Sequence, residues 1–375
     1  HSRRSEMRPG VPGGRFDDHF QLALLEPALY FADGQIRDEV YEYGSFLQSK
    51  MRAAGVVCSN CHEPHSGKLL ADDNRLCTQC HAEGVYDRPA HHRHAGGTPG
   101  AACVSCHMPI RTYMVVDGRR DHGFRVPEPR LTAELGIPNA CNDCHGDRDP
   151  AWAQAALDSW GVSTDLRATH APLLAAGWSG RPDAAPALLG LAADPARPAL
   201  LRASAALAGG AFPAAETLQG LAPLLDSDDA LVRAAAARSL DWLPVEQRYA
   251  LLKRLVGDPS RSVRLATARQ LAGVAAAGLP PNEAQAAAQA LAAPRQEYLE
   301  SLRHDADLPE GQMNLGLYHA AGGDPVAAEQ AYRSALKLSP SFVPALLNLA
   351  DLCRANGLDQ QAGPLLQQAI DRAPA

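Results

Sequence analysis

Apolar and polar residues follow two different regimes along this chain. From residue 151 onward, Ala and Leu recur at the three- and four-residue spacing of amphipathic helices. Between 51 and 150 no such run persists, and the stretch is rich in Cys, His, Gly and Pro. Residues 1–50 are mixed, with a basic start at Arg3, Arg4 and Arg8. The helical part repeats. Arg202, Arg233 and Arg264 stand 31 residues apart, each in an Ala/Leu-rich block preceded by a loop containing Asp: Asp194-Pro195, Asp226 to Asp229, and Asp258-Pro259. A turn feeding an amphipathic helix at a fixed period predicts an α-solenoid of HEAT-like type. A second period of 34 relates Leu315 to Leu349, Gly316 to Ala350, Ala328 to Ala362, Tyr332 to Leu366, Ala335 to Ala369 and Pro340 to Pro374, the pattern of two tetratricopeptide repeats. Pro280-Pro281 separates the two arrays.

These regimes predict a mainly α chain: a loop-rich domain over 1–150, HEAT-like repeats over 151–280 and tetratricopeptide repeats over 281–375. With 375 residues there is room for two or three domains. Hydrophobic content is 46% but aromatics are only 5%, so the apolar mass suits packed helices rather than β-sandwiches. A net charge of −7 without a long basic run argues against nucleic acid or an anionic membrane surface as partner. No stretch reaches the roughly 18 apolar residues of a transmembrane helix. No signal peptide is visible, and the chain begins at His1.

Residues 51–150 lack the apolar content to build a core alone, so something else must fill their interior. The cysteines say what. Eight of nine lie between 58 and 144, always as C-x-x-C, and each pair is followed by histidine: Cys58/Cys61/His62, Cys77/Cys80/His81, Cys103/Cys106/His107 and Cys141/Cys144/His145. Two cysteines three apart reach both vinyl groups of one porphyrin, and the next histidine then ligates the iron. The reading is four covalent haem c groups (iron) within 88 residues, close enough to form the domain core. Zinc is the alternative, since 15 residues separate Cys61 from Cys77, as in a four-cysteine ribbon. A disulfide framework is a third reading. Neither accounts for a histidine after every pair.

Spare histidines supply candidates for the sixth iron ligand: His65, His94, His122 and, further upstream, His19. His65 is three residues past its own motif and is expected to serve a neighbouring haem. His94 lies in a glycine-rich loop that can fold back, and Asp121 is expected to orient His122. His91 and His92 are expected to line the pocket or to reach an upstream haem. Met114 is the one plausible methionine ligand. Bis-histidine ligation gives lower potentials than His/Met. Cys353 and His319 share one repeat position and read as packing residues.

The stretch from Asp18 to Asp147 resembles the bacterial multihaem cytochromes c that carry C-terminal tetratricopeptide repeats. The segments that carry the likeness are "CSNCHEPHSGKL", "GAACVSCHMPIRTYMVVDGRRDHGFRVPEP" and "GIPNACNDCH". The Cys-His-x-Pro-His form at Cys61–His65 is that of a doubled C-x-x-C-H motif. The resemblance implies export to the periplasm or beyond, where haem is attached. It also implies a preceding haem region, of which His1-Ser2-Arg3-Arg4-Ser5 looks like the tail, His1 being a proximal ligand there. The expected function is electron transfer, an electron carrier rather than an enzyme. Its partners are redox proteins or other haem domains, the preceding haem region among them, with the helical repeats docking proteins. The alternative is a multihaem reductase of a small nitrogen or sulfur oxyanion, with one open-coordinate haem and Tyr41, Tyr43, Arg119 or Arg120 nearby. The blander reading of those four is surface or propionate-pairing residues.

Overall fold

The computed structural model describes residues 8, 13–113, 115–162, 170–276 and 279–372. Among them the chain is mainly helical, with one two-stranded antiparallel hairpin, β1 (Ile110–Tyr113) and β2 (Asp117–Arg120). His1 and Met114 lie outside the described residues. None of the described helices is long and apolar enough to cross a membrane.

The chain divides into two compact units. Among the described residues, one comprises those within 23–212 and the other residues 8 and 13–22 together with those within 213–372. The cut therefore falls inside the helical array rather than near residue 150, and the reason is packing. Helices following the cysteine-rich stretch close against segments that precede it. The Leu25 N–H donates to buried Ser204 Oγ at 2.9 Å, His170 Nε2 lies 3.2 Å from the Asp33 carbonyl, and the helix Ala171–Trp178 contacts Pro129–Leu135. The core of this unit is made by Ala23 to Leu25, Tyr30, Leu131, Leu174, Leu188 and Leu200.

The cysteine-rich stretch is organised differently. No residue from 51 to 100 is buried, and its helices are single turns such as Arg75–Thr78, Glu83–Tyr86 and Pro89–His92. Polar clamps hold it instead. Asn74 Nδ2 donates to Asp87 and to the Ala101 carbonyl, while its Oδ1 accepts from the Cys103 N–H at 2.9 Å, tying the approach of the second motif to the third. Asn139 Oδ1 accepts from the Cys141 and Asn142 N–H groups and so caps the helix Ala140–Cys144 of the fourth.

In the second unit the repeat arginines do related work. Arg233 makes a fork on Asp258, both contacts 2.9 Å, and donates to the Ser227 carbonyl. Arg264, one repeat later, makes the same fork on Glu297 at 2.8 Å and donates to the Asp258 carbonyl. Because the Asp258 side chain is only 5% exposed, removing its partner strands a carboxylate away from water. We expect Arg233→Ala to cost about 3 kcal/mol, seen by circular dichroism as a fall of roughly 6–12 °C in the Tm of this unit; an unchanged Tm would show the pair to be energetically idle.

The last four helices form two antiparallel hairpins, Pro309–Ala321 with Pro325–Leu338 and Val343–Ala355 with Asp359–Arg372. Ala328, Tyr332, Leu349, Ala350, Cys353 and Ala362 pack as one buried cluster. Gly316 is obligatory in this packing, since a Cβ there would sit 2.3 Å from the Tyr332 ring.

Candidate functional site

The four C-x-x-C-H motifs all lie in the first unit, and their cysteines are unpaired. The first cysteine of each motif lies in a tight turn or short helix: Cys58–Asn60, Arg75–Thr78, Cys103–His107 and Ala140–Cys144. Consecutive motifs are neighbours in space. Cys61 feels Cys80, Cys77 is within hydrogen-bond reach of Cys103, and Cys106 lies beside Cys141 and Cys144. Desolvation in their half-covered positions pushes the Cys77 and Cys141 thiols up to about 11, and those of Cys61, Cys103 and Cys106 upward as well. These are not the acidic thiols of a reactive cysteine. Among the described residues no three His, Cys, Asp or Glu side chains converge as a zinc site requires.

What does converge is histidine with histidine. His62 faces His122 with ring centres 6.3 Å apart and planes 32° from parallel. His107 faces His91 at 6.3 Å and 19°. His145 faces His94 at 6.2 Å and 33°. Direct stacking contact would bring two rings much closer. With metal–nitrogen bonds of about 2 Å and ring centres about 1.15 Å behind each nitrogen, two imidazoles on opposite sides of one metal ion stand about 6.3 Å apart. The residues present therefore fit a metal held between each pair.

Hydrogen bonds set the tautomers. His62 Nδ1 lies 2.9 Å from the Gly67 carbonyl, His107 Nδ1 2.8 Å from that of Arg125, and His122 Nδ1 2.9 Å from that of Arg120. His94 Nδ1 is bonded likewise to the His92 carbonyl. A carbonyl can only accept, so in each case Nδ1 carries the proton and Nε2 is left with its lone pair. Partial desolvation, then the nearness of His107, lowers the His91 pKa, the direction that favours a metal ligand.

The supports of these rings are specific. Arg125 holds His107 twice, its N–H donating to the His107 carbonyl at 3.1 Å and its own carbonyl accepting from the ring. Its guanidinium is anchored on the Asp33 carbonyl and Gln48. Asp121 does not orient the His122 ring as the sequence suggested. Its carboxylate instead accepts from the Ile36 and Gly123 N–H groups, while Ser45 Oγ accepts from the His122 N–H. The buried Asp121 is thus spent on fixing the backbone that carries His122.

Of the other sequence candidates, His65 is exposed, its N–H bonded to Glu63, and no ring faces it among the described residues. His19 lies in the second unit, buried on the short helix Phe16–His19, whose Asp17 and Asp18 accept from Ser260 Oγ and the Arg261 N–H. His91 is the residue that the sequence reading did not select. The signal was its place on a one-turn helix ended by Arg93 in the left-handed region (φ 61°), which turns His91 and His94 toward different motifs. Arg119 pairs with Asp117 and Glu39 and lies over the Tyr41 ring, and Arg120 donates to the Val104 and Met108 carbonyls. Both are structural in these contacts.

Residues 51–85 match the doubled CXXCH motif family, and residues 196–272 match HEAT repeats. The first is the paired motif of covalently bound haem c, and the second is a class of helical repeat suited to protein–protein contact. No curated protein and no solved structure matches the chain significantly.

Proposed function

We propose that this chain is an electron-transfer module carrying four covalent haem c groups. Cys58/Cys61, Cys77/Cys80, Cys103/Cys106 and Cys141/Cys144 hold them, with His62, His81, His107 and His145 as proximal ligands. The observation that carries the reading is the set of three histidine pairs at 6.2–6.3 Å, the span of two imidazoles sharing one metal ion. His122, His91 and His94 would accordingly serve as sixth ligands, paired with His62, His107 and His145.

When bound, haem supplies one-electron iron chemistry at a potential set by its axial ligands. The protein's part is to fix the rings, which the carbonyl bonds to Nδ1 favour, and to hold successive motifs side by side. Order along the chain becomes order in space, from the first motif to the fourth. The HEAT repeats, and the hairpins we read as tetratricopeptide repeats, would dock a redox protein or a further haem domain. This reading carries with it export to the periplasm or beyond.

The test is a pyridine haemochrome count with visible and EPR spectra of the haem-loaded chain. Four c haems, at least three low-spin with two nitrogen ligands, are expected. A colourless zinc protein, or fewer than three low-spin haems, would overturn the proposal.

A further inference from the structure

His81 differs from the other three proximal histidines. Each of those faces a second imidazole at 6.2–6.3 Å, whereas among the described residues none faces His81. The ring beside it is Tyr86, edge-on at 5.5 Å and 86°. Tyr86 comes from the helix Glu83–Tyr86, which follows the motif at once, and its ring touches the flank of the His81 imidazole. It therefore stands on the proximal side and cannot cap the opposite one. Its other flank is edge-on to His91 at 5.4 Å, so it is wedged between two ligand rings. His65, the nearest histidine in sequence, is exposed and tied into a turn by Glu63, which accepts from both the His65 and Ser66 N–H groups. Cys80 and His81 are exposed too, so solvent reaches this motif.

We infer that the iron held by Cys77, Cys80 and His81 keeps an open sixth position that takes a small exogenous ligand of the diatomic π-acceptor class. The inference rests on the four-haem reading above and deepens it. One centre receives a small molecule, and Tyr86, edge-on to both His81 and His91, sets that motif beside a histidine-paired one.

The experiment uses the full haem-loaded chain and carbon monoxide as probe. Reduced protein is titrated with carbon monoxide, the difference spectrum is scaled to the haemochrome count, and the oxidised protein is examined by EPR. Expected are one carbon monoxide per four haems and one high-spin signal of four, both lost in the Cys77→Ala/Cys80→Ala variant. His65→Ala should leave the stoichiometry at one. Four low-spin haems with no carbon monoxide uptake would overturn the inference. So would uptake appearing only in His65→Ala, which would make His65 the sixth ligand, or uptake surviving in the double-cysteine variant. A haem count below four strikes the four-haem reading instead, so the two failures are distinguishable.

Discussion

Exchanging His122 for methionine raises the midpoint potential of one haem by on the order of 0.2 V, a fraction of the roughly 0.8 V that axial ligands span, and leaves the other centres near their original values. The direction follows from chemistry. The His122 imidazole donates Nδ1–H to the Arg120 carbonyl, which under the proposed ligation would raise the electron density its Nε2 offers an iron and favour the oxidised state. A thioether does neither, and His/Met ligation gives higher potentials than two histidines. The effect stays local because the surrounding backbone is pinned independently of the ring, by Asp121 on Ile36 and Gly123 and by Ser45 on the His122 N–H. Among the described residues, His62/His122 is the pair with both Nδ1 atoms bonded to carbonyls, at Gly67 and Arg120, so under the proposed ligation its centre would start low and have the furthest to rise. Spectroelectrochemical titration of the variant checks this. An unshifted set of potentials would remove His122 from the iron.

The second large effect is on folding. Without any haem attached, the chain should have its stretch 51–100 open to protease, with cleavage after Arg75, Arg88 or Arg93, while the helices from Ala230 onward survive. The stretch has no buried residue of its own, so without the attached group its opening free energy falls towards zero. The repeat helices by contrast bury Leu225, Val232, Leu240, Leu252 and Leu271 completely or nearly so. Limited trypsinolysis followed by mass spectrometry reads the outcome. Equal protection of both regions would mean that polar clamps such as Asn74 suffice to hold the stretch closed.

The sequence made part of this legible for definite physical reasons. The C-x-x-C-H spacing is local chemistry, readable without a fold, and so is the recurrence of Arg202, Arg233 and Arg264. Two of those arginines proved to make the same carboxylate fork one repeat apart, and Arg202 donates to the Ala192 carbonyl. The partners of the rings were harder, because they depend on chain reversals. His122 and His94 were readable as candidates but the rings they face were not, nor was the facing of His91 and His107. The deciding feature was backbone shape at Arg93, a non-glycine residue at positive φ that nothing in the local composition announces. Compact units were likewise hidden. Composition changes near residue 150, yet Ser204 and His170 bind backbone groups of Leu25 and Asp33, contacts across more than 130 positions that no local pattern encodes.

His91 and His94 sit three residues apart and face His107 and His145 respectively. Under the proposed ligation, one short loop therefore holds the sixth ligands of two irons. A rotation at Arg93 cannot lengthen one bond without straining the other. The two centres would then share a mechanical linkage in addition to their electrical one, so that loss of a ligand at the third haem is felt as a spectral change at the fourth.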